Sequence, residues 1–349
     1  MTISPQSVAR IGLIGSGWIG AFHAETIAHR IPGATLVGVA DPQPGAAERV
    51  AGPLTGPLGE PRAYLEAAAL IADPEVDGVV ISSPAFTHTD LVVAAANAGK
   101  SVFVEKPMAL TLADADRAIA AAASAGVHLQ VGFNRRFARD FAAAREVIAQ
   151  GGVGTPQLLR SVTRDPGLAN PGAVKPWTIF LETLIHDFDT LNWFNAGARP
   201  VEVFAMADAL VAPEFKSAGL LDTAIVTIRY NNGAIATAEA NFSAAYGYDV
   251  RGEVFGSAGM VTAGDLHATG MRHYSSAGAQ SPTARLNIDL FHQAYTDELV
   301  AFADAVRGKA PRRDSQVPSG HDARAALEIA LACIASVDEQ RPIALGQHS

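Results

Sequence analysis

The feature that most constrains the fold is the regular alternation of apolar, strand-like runs with helical segments over the first 130 residues. The strand-like runs are RIGLIG, ATLVGVAD, VDGVVISS, SVFVEK and VHLQVGF, and the segments between them have the apolar spacing of helices. Short buried strands that alternate with helices pair in parallel through right-handed crossovers. The sequence therefore predicts an α/β fold, with a doubly wound parallel sheet in a first domain of residues 1–130.

The rhythm changes after the turn GGVG, which ends at Gly154. One long helix is predicted over TIFLETLIHDFDTLNWF, and strands are predicted over VEVFAMADAL, DTAIVTIRY, AIATAEANFS and DVRGEVFG, with YNNGA as a hairpin turn. Amphipathic helices are predicted near residues 289–308 and 321–338. Residues 131–349 are therefore expected to form an α+β domain with an open, largely antiparallel sheet, although its last helices could pack against the first domain. Such a sheet has one face to cover, which predicts a homodimer or homotetramer.

Composition narrows the possible partners. The 349-residue chain has 26 Lys and Arg against 35 Asp and Glu, which gives a formal net charge of −9. This charge argues against a nucleic-acid partner, because binding to phosphates needs a basic face. With neither a signal-like segment nor an apolar run of roughly 18 residues, we expect a cytoplasmic protein without a nucleic-acid or membrane partner. The single cysteine, Cys333, lies in an apolar helical pattern and is predicted to be a core residue.

A glycine-rich turn follows the first predicted strand. In GLIGSGWIGAFH, the residues Gly15, Gly17 and Gly20 have the spacing G-x-G-x-x-G, and Trp18 and Ile19 open the following helix. The first glycine permits a tight turn, the second lets the backbone approach a pyrophosphate, and the third allows the helix to pack closely on the strand. The pattern alone is weak, but its place between a strand and a helix predicts a dinucleotide site.

Asp41 follows Gly20 by 21 residues, at the end of the second predicted strand. A carboxylate at this point accepts hydrogen bonds from ribose hydroxyls and repels a 2′-phosphate, which predicts NAD rather than NADP. The alternative is a solvated turn residue. Ser83 and Pro84 end the third strand and are expected to lie beside the same cofactor, and His88 either lines the cofactor channel or caps the next helix.

The segment VFVEKP ends a predicted buried strand on Glu105, Lys106 and Pro107. Lysine is among the residues least often fully buried. Lys106 therefore either emerges into solvent or is held at the edge of a cleft, and local spacing does not decide between these alternatives.

Together, Gly15–Gly20, Asp41 and VEKP resemble the Gfo/Idh/MocA family of NAD(P)-dependent oxidoreductases. The resemblance continues through GFNRRF, TRDP and HDFD to the tail SGHDARAALEIALACIAS, and so covers essentially the whole chain. TRDP and the tail are most similar to the myo-inositol 2-dehydrogenase branch. The resemblance implies a Rossmann domain followed by an α/β domain whose open sheet mediates dimer or tetramer formation.

The resemblance also implies an active site. Lys106, with Glu105 beside it, would lie at the nicotinamide end of the cofactor, and His186 would face Lys106 across the substrate. His186 is the expected general base, because an unperturbed imidazole titrates near working pH. Lys106 could bind the same hydroxyl and stabilise developing alkoxide charge. Which of the two accepts the proton first stays open.

Glu182 lies four residues before His186, so a regular helix would place both on one face. It is interpreted either as a carboxylate that orients His186 or grips a substrate hydroxyl, or as part of a helix salt pair. The family usually has aspartate here, and a glycine pair where this chain has Trp177 and Thr178, so the pocket is expected to differ from that of relatives. Trp177 either stacks on a sugar ring or belongs to the core.

Further site residues follow from the resemblance. Arg164 and Asp165 are predicted to line the pocket wall, and Asn134 to line the cleft where the domains meet. Arg136 is expected to make a structural ion pair. The histidines are scattered, with neither an HxH nor an HxxxH pair, so no metal site is predicted.

The sequence therefore predicts an NAD-dependent dehydrogenase that oxidises a secondary ring hydroxyl of an inositol or similar cyclic polyol. Two alternatives stay open: an aldose (pyranose) dehydrogenase of the same family, and an NAD-binding regulatory protein that has lost catalysis. The presence of both Lys106 and His186 argues against the second alternative.

Overall fold

A computed structural model describes residues 8–56, 59–168, 170–267, 269–309 and 316–346. The chain divides into two compact units, the first comprising Met1–Phe137 with Gln293–Arg324 and the second comprising Ala138–His292 with Ala325–Ser349. Residues 131–137 and 293–324 thus group with the first unit, although the predicted boundary assigned them to the second domain. The division at residue 130 stays a prediction about where the domains begin and end.

The first unit is built on a six-stranded parallel sheet. Its strands are β1 (Ala9–Ile14), β2 (Ala34–Ala40), β3 (Arg62–Tyr64), β4 (Gly78–Ile81), β5 (Ser101–Val104) and β6 (Leu129–Val131). They lie in the order β3-β2-β1-β4-β5-β6, and all neighbours are parallel. The predicted doubly wound parallel sheet is confirmed, and its strand order reverses between β1 and β4.

Helices connect these strands and continue into the second unit. They are α1 (Trp18–Arg30), α2 (Ala46–Ala51), α3 (Ala67–Ala72), α4 (His88–Asn97), α5 (Leu112–Ala125), α6 (Arg139–Ala149), α7 (Ile185–Phe194), α8 (Asn287–Leu290), α9 (His292–Val306) and α10 (Gly320–Glu339). Although α9 comes late in the chain, its residues Leu299 and Phe302 share one buried cluster with Ile11 and Leu13 of β1. Helices on both faces explain why the parallel strands are apolar throughout.

The second unit contains a seven-stranded sheet. Its strands are β7 (Pro156–Arg164), β8 (Pro200–Asp208), β9 (Thr223–Tyr230), β10 (Ile235–Asn241), β11 (Asp249–Gly256), β12 (Gly259–Ala263) and β15 (Ile343–Ala344), while β13 (His273–Ser275) and β14 (Gly278–Gln280) form a separate hairpin. The order is β12-β11-β7-β10-β9-β8-β15, with β7 and β10 parallel and the other neighbours antiparallel. The open, largely antiparallel sheet is confirmed, and so is the predicted hairpin between β9 and β10.

The two faces of this sheet differ because side chains alternate along each strand. On the covered face, Val226 and Ile228 of β9 are fully buried, and the Ser161 and Thr163 hydroxyls of β7 donate to Asp187 of α7 at 2.5 and 2.7 Å. On the opposite face, which we call the open face, the exposed apolar side chains are 41–61% accessible: Leu158, Met206, Ile225, Ile235, Phe255 and Met260.

Two local predictions have clear outcomes. Cys333 is buried in α10, as predicted, and burial raises the pKa of its thiol. The long helix predicted from Thr178 to Phe194 is wrong in its first part, because residues Ile179–Thr183 form a π-helix before α7 begins. Within the described ranges, we find no helix that has both the length and the apolar character needed to cross a lipid bilayer.

Candidate functional site

A row of main-chain hydrogen bonds joins the carboxyl ends of the parallel strands. The residue after each strand donates its N–H to the last residue of a neighbouring strand at 2.8–2.9 Å: Gly15 to Ala40, Ser82 to Ile14, Glu105 to Ile81 and Gly132 to Val104. These strands therefore end level with one another, about 4.8 Å apart. The segments that follow β2, β1, β4 and β5 lie side by side along one edge, at the point where ligands bind to sheets of this kind.

The three glycines of the turn after β1 serve different purposes. Gly15 has φ +94°, and a Cβ added to it would lie 2.6 Å from the Ser83 nitrogen. A Cβ on Gly20 would lie 2.0 Å from the Gly15 carbonyl oxygen, whereas one on Gly17 would meet no described heavy atom within 4 Å. Gly15 and Gly20 are therefore required by the fold itself, and Gly17 leaves open space in front of the turn.

The helix that follows the turn begins without a cap. Gly17 is the N-cap residue of α1, no hydrogen bond from a described side chain caps the helix, and its first turn contains no acidic residue. Trp18 is 57% exposed and Ile19 is half-buried. Free N–H groups and the positive end of the helix dipole make such a terminus suitable for a phosphate. The turn and the start of α1 therefore fit the pyrophosphate of a dinucleotide.

Asp41, immediately after β2, is hydrogen-bonded to the glycine turn. Its Oδ2 accepts the Ser16 N–H and hydroxyl at 2.9 and 2.7 Å, and its Oδ1 accepts the Gln43 N–H at 3.0 Å. Partial burial works to raise the pKa of Asp41, but the hydrogen bonds from Ser16 and Gln43 outweigh it and hold the pKa below its usual value. Asp41 is thus an ionised carboxylate fixed beside the turn, in the position where a ribose hydroxyl would be bound.

Ser83 and Pro84 follow β4 on the same edge of the sheet. The Ser83 hydroxyl is 2.6 Å from the Thr87 hydroxyl, and Pro84 is exposed directly before a short 3-10 turn, Ala85–Thr87. The neighbouring Ser82 hydroxyl donates to the Gly15 carbonyl at 2.8 Å, which joins this segment to the glycine turn. Contact of Ser83 and Pro84 with a cofactor stays a prediction.

His88 is fully buried at the start of α4 and makes no capping hydrogen bond to the described part of that helix. Its Nε2 lies 2.7 Å from the Ser83 carbonyl oxygen and its Nδ1 lies 2.9 Å from the Pro107 carbonyl oxygen. Burial lowers the pKa of His88, against the opposing effect of the two carbonyls, and a ring that donates to both of them would have to carry both protons. His88 thus connects the segment after β4 to the segment after β5, and its predicted place in the cofactor channel stays a prediction.

Glu105 and Lys106 follow β5 directly. Glu105 is buried, and its Oε1 lies 2.7 Å from Nε2 of His23. Its Oε2 accepts the Lys106 N–H at 3.3 Å. Lys106 is half-buried and is joined to Pro107 by a cis peptide bond. The carboxylate of Glu105 therefore faces the interior of the first unit, and its predicted contact with a cofactor stays a prediction.

The segment with Glu182 and His186 is not a regular α-helix. The Leu184 N–H donates to the Ile179 carbonyl at 2.8 Å, five residues back, and the α-helical bonding resumes with Phe188 to Leu184 at 2.9 Å. Because the π-helix changes the angle between successive residues, the predicted shared face of residues four apart does not follow here. Glu182 is exposed at the end of the π-helix, and His186 is half-buried in the first turn of α7.

Trp177 stands directly before this segment with φ 65°. For an L-residue with a large side chain this left-handed conformation costs roughly 1–2 kcal/mol. Its half-buried indole stacks on the buried Phe180, with ring centroids 6.4 Å apart and an interplanar angle of 24°. The ring therefore packs partly against the core, and strain of this kind is concentrated at functional sites in proteins.

Arg164, at the end of β7, forms ion pairs with Glu239 at 3.2 Å and with Asp249 at 3.8 Å. It lies on the open face, whereas its neighbour Thr163 faces α7, the helix that carries His186. Contact of Arg164 with a substrate stays a prediction. Asp165 follows, and its N–H donates to the Asn241 carbonyl at 2.9 Å. A place for Asp165 in the pocket wall stays a prediction.

Asn134 and Arg136 lie in a short 3-10 helix after β6 and are both buried. Arg136 pairs with Asp322 of α10 at 3.0 Å, so the predicted structural ion pair of Arg136 is confirmed. The Gln316 amide also donates to the Arg136 carbonyl at 2.8 Å. Asn134 is placed at the end of the parallel sheet, and its contact with a substrate stays a prediction.

Two residues beside this edge, Ser16 and His23, were not predicted from the sequence. Ser16 lies between two glycines of the turn, and its side chain anchors Asp41. His23 lies on the buried side of α1, where an imidazole needs a hydrogen-bond partner. The sequence does contain a signal for a buried His23, because this residue lies on an apolar helix face three residues beyond Gly20. Its partner Glu105 could not be identified in this way, because it is 82 positions away.

One group in the described part of the chain has the spacing of metal ligands: His23, Glu105 and Glu298, whose potential ligand atoms lie within 4.8 Å of one another. The His23 Nε2 is already hydrogen-bonded to Glu105. This group was not anticipated when the sequence predicted no metal site.

The glycine turn, the uncapped helix start and the fixed carboxylate at the end of β2 define the first unit as the dinucleotide-binding domain of an oxidoreductase. A family model described as "Oxidoreductase family, NAD-binding Rossmann fold" matches residues 9–133, and one described as "GFO/IDH/MocA C-terminal domain" matches residues 141–262. The chain belongs to the Gfo/Idh/MocA family of oxidoreductases. The family predicted from the sequence motifs is thus confirmed, as are its NAD cofactor and its α/β fold.

Similar proteins share nearly the full length of the chain. A myo-inositol 2-dehydrogenase from Thermotoga maritima is 37% identical over 338 residues, which cover 96% of this chain and 98% of that protein. A scyllo-inositol 2-dehydrogenase (NAD(+)) from Bacillus subtilis is 34% identical over 338 residues, 96% of each chain. The crystal structure of a Lactobacillus casei myo-inositol dehydrogenase in complex with NAD(H) and myo-inositol matches with a TM-score of 0.88 and 26% identity, covering 98% of each chain.

Proposed function

We propose that this protein is an NAD-dependent dehydrogenase that oxidises a secondary ring hydroxyl of an inositol, or of a similar cyclic polyol, to the ketone. The observation that carries the proposal is the full-length similarity to inositol 2-dehydrogenases, combined with a strand-end edge that leads from Asp41 to Lys106. Both units of the chain are covered by that similarity, so it includes the segments of both His186 and Lys106.

The edge of the parallel sheet suits NAD along its length. Asp41 would bind the adenosine ribose, while Gly15, Gly17 and the start of α1 would hold the pyrophosphate. Trp18, Ile19, Ser83, Pro84 and His88 would line the path toward Lys106. When bound, NAD supplies the acceptor for the hydride that leaves the alcohol carbon.

Two side chains of this protein are proposed to take part in removing the proton from the alcohol. His186 would accept it as a general base, and Lys106 would hold the oxygen and stabilise its developing negative charge. Glu182 would orient His186 or bind a neighbouring hydroxyl of the ring. Asn134, Asp165 and Trp177 are proposed as further substrate contacts, and Arg164 is the weakest member of the predicted set because it lies on the open face.

A spectrophotometric assay tests the activity directly. Purified protein mixed with NAD and a panel of inositol isomers should increase the absorbance of NADH, and failure to do so with every inositol and aldose would contradict the proposal. Lys106→Ala should abolish turnover and leave NAD affinity within a few-fold of wild type. The exposed Lys216, which pairs with Asp208 on the second unit, provides a matched control, because Lys216→Ala should leave turnover unchanged.

An aldose is the second candidate substrate, and the observation that favours it is the strained Trp177. Its indole offers a flat apolar surface of the kind on which a pyranose ring stacks. Specificity constants for inositol isomers and for aldoses, measured on the same preparation, separate the two candidates.

The open face of the second unit supports a homo-oligomer. It exposes a set of apolar side chains next to the ion pairs of Arg160 and Arg164 with Glu239, and large exposed apolar areas commonly mark protein interfaces. We expect a dimer or tetramer in light scattering after size exclusion. Ile225→Lys, at the centre of the open face, should shift the mass toward the monomer, and Leu65→Lys, at an exposed apolar side chain of the first unit, is its control.

A further inference from the structure

Three side chains from separate elements meet inside the first unit, and we call them the buried carboxyl cluster. His23 comes from α1, Glu105 follows β5 and Glu298 comes from α9; their potential ligand atoms lie within 4.8 Å of one another. His23 and Glu298 are completely buried, and Glu105 is 8% exposed. Two acids and one base in this environment cannot all be charged without cost, so their protonation states matter.

Glu105 has donors for both of its carboxylate oxygens. One oxygen is 2.7 Å from His23 Nε2, and the other accepts the main-chain N–H of Lys106 at 3.3 Å. Burial alone would raise the pKa of Glu105, but the hydrogen bond and charge of His23, with the charge of Lys106, hold it below its usual value. Because Glu105 is ionised, the His23 nitrogen that faces it must carry a proton.

Glu298 has the opposite environment. Within the described ranges, neither of its carboxyl oxygens has a hydrogen-bond partner, and the Gln130 amide bonds only to its main-chain carbonyl, at 2.8 Å. An ionised carboxylate that is buried without a donor is costly, and the nearby charge of Glu105 increases that cost. Burial and Glu105 together raise the pKa of Glu298 well above its usual value.

Other titratable groups also face the buried carboxyl cluster, from α4, from α9 and from the segments after β5 and β6. Tyr295, one turn before Glu298 on α9, is buried, and burial together with the charge of Glu105 raises the pKa of its phenol. Burial lowers the pKa of His88 of α4, whose two ring nitrogens face the Ser83 and Pro107 carbonyls. Among the described residues, the Lys106 amine also acts on Glu105, and the Arg135 guanidinium acts on Tyr295.

We propose that Glu105 is a charged positioning residue for Lys106, and that Glu298 holds a proton, so that the cluster keeps its negative charge on Glu105 alone. The part that concerns Lys106 rests on the proposed function, whereas the protonation of Glu298 does not. In this arrangement, His23 holds one oxygen of Glu105 by a hydrogen bond, and the other oxygen accepts the main-chain N–H of Lys106. The Lys106 amine is then influenced by the negative charge of one carboxylate only. A neutral Glu298 fills the space behind Glu105 without adding a second negative charge.

Infrared difference spectroscopy tests the protonation of Glu298 on the full chain. Wild type minus Glu298→Gln at pH 7 should contain the C=O stretching band of a protonated carboxylic acid, which ionised carboxylates lack. Absence of that band would overturn the proposal, and so would a stoichiometric divalent metal in the purified protein, because a metal would keep Glu298 ionised. Glu298→Met, of similar volume, replaces the glutamine variant if that variant does not fold.

The pH dependence of kcat/KM tests the role of Glu105. The same Glu→Gln change is made at two positions within one cluster, with circular dichroism as the check on folding. Glu105→Gln removes a negative charge from the site, which favours the deprotonated form of the group that the profile reports, so the profile should move to lower pH by at least half a unit and kcat should fall tenfold or more. Glu105→Asp keeps the charge and should restore the position of the profile.

Glu298→Gln should leave the profile where it is, because it replaces one neutral group by another. If Glu105→Gln and Glu298→Gln shift the profile equally, or if neither Glu105 variant shifts it, the assignment of the charge to Glu105 is wrong. If wild type oxidises no polyol, the proposed function fails, and the infrared band still decides whether Glu298 carries the proton.

Discussion

The same substitution, glycine to alanine, is expected to affect NAD binding at Gly17 and the stability of the fold at Gly20. An alanine methyl at position 17 would meet no described atom within 4 Å, and Gly17 has φ −65° and ψ −173°, which alanine adopts without strain. Alanine restricts the unfolded chain, a gain of about 0.4–1 kcal/mol, and is a poorer N-cap residue than glycine, a loss of similar size. The free energy of unfolding of Gly17→Ala should therefore change by less than about 1 kcal/mol.

NAD binding should respond quite differently. The methyl group of Gly17→Ala would occupy the space through which a pyrophosphate approaches the backbone. Forcing one methyl group into a packed contact costs roughly 1–3 kcal/mol, which is about a five- to 150-fold increase in Kd. Titration calorimetry gives the Kd for NAD, and urea unfolding without cofactor gives the stability.

Gly20→Ala provides the contrast. Its methyl group would lie 2.0 Å from the Gly15 carbonyl oxygen, a main-chain atom that cannot move without disturbing the turn. We expect a loss of stability near the upper end of the overpacking range, about 3 kcal/mol. If Gly17→Ala bound NAD as tightly as wild type, or lost as much stability as Gly20→Ala, the division of roles within the turn would be refuted.

Three further predictions concern single side chains. Trp177→Gly should be more stable to urea than Trp177→Ala by about 1 kcal/mol, because both lose the ring but only glycine relieves the strain at φ 65°; equal stabilities would show that the strain is absent. Asp41→Ser should narrow the preference for NAD over NADP by roughly tenfold or more, measured as the ratio of the two Kd values, because the charge that repels a 2′-phosphate is removed. Below about pH 4.3, the pKa of glutamate in an unfolded chain, Glu298 is protonated in both the folded and the unfolded protein and does not make the stability depend on pH. Above that pH, Glu298 ionises first in the unfolded protein, so the free energy of unfolding of wild type decreases as the pH rises. The stability of Glu298→Gln relative to wild type should therefore rise by up to about 1.4 kcal/mol per pH unit between pH 5 and 7, and a constant difference would contradict the raised pKa.

Much of the first unit was predictable because its signals are local. Apolar runs, helical spacing and glycines at a turn are each contained in a few consecutive residues, and the parallel pairing follows from their alternation. The same holds for Asp41, since a residue that directly follows a strand lies at the edge of the sheet whatever else the chain does. Lys106 follows a strand in the same way, but its place in a site was implied by the family resemblance.

The second unit shows where local signals fail. The π-helix at Ile179–Thr183 has the composition of an ordinary helix, so the sequence predicted one continuous α-helix. The place of Arg164 in a substrate pocket stays a prediction, and the register of β7 with β10 and β11, which puts it opposite Asn241 and Asp249 and next to the charges of the open face, could not be read from its motif. A shift of one residue in such a register reverses the face, and this register depends on the whole sheet.

The sequence by itself determined the class of fold, the cofactor turn and the positions of Asp41 and Lys106 along the strand ends, because each depends on a short stretch of chain and on the period of its side chains. Only the tertiary structure decided which buried polar groups meet: His23 reaches Glu105 across 82 positions, and α9 brings Glu298 to the same place. The physical reason is that burial is a property of the packed molecule. A carboxyl group consists of the same atoms in water and in a protein core, but its pKa, and therefore its charge, depends on the neighbouring groups that folding brings to it.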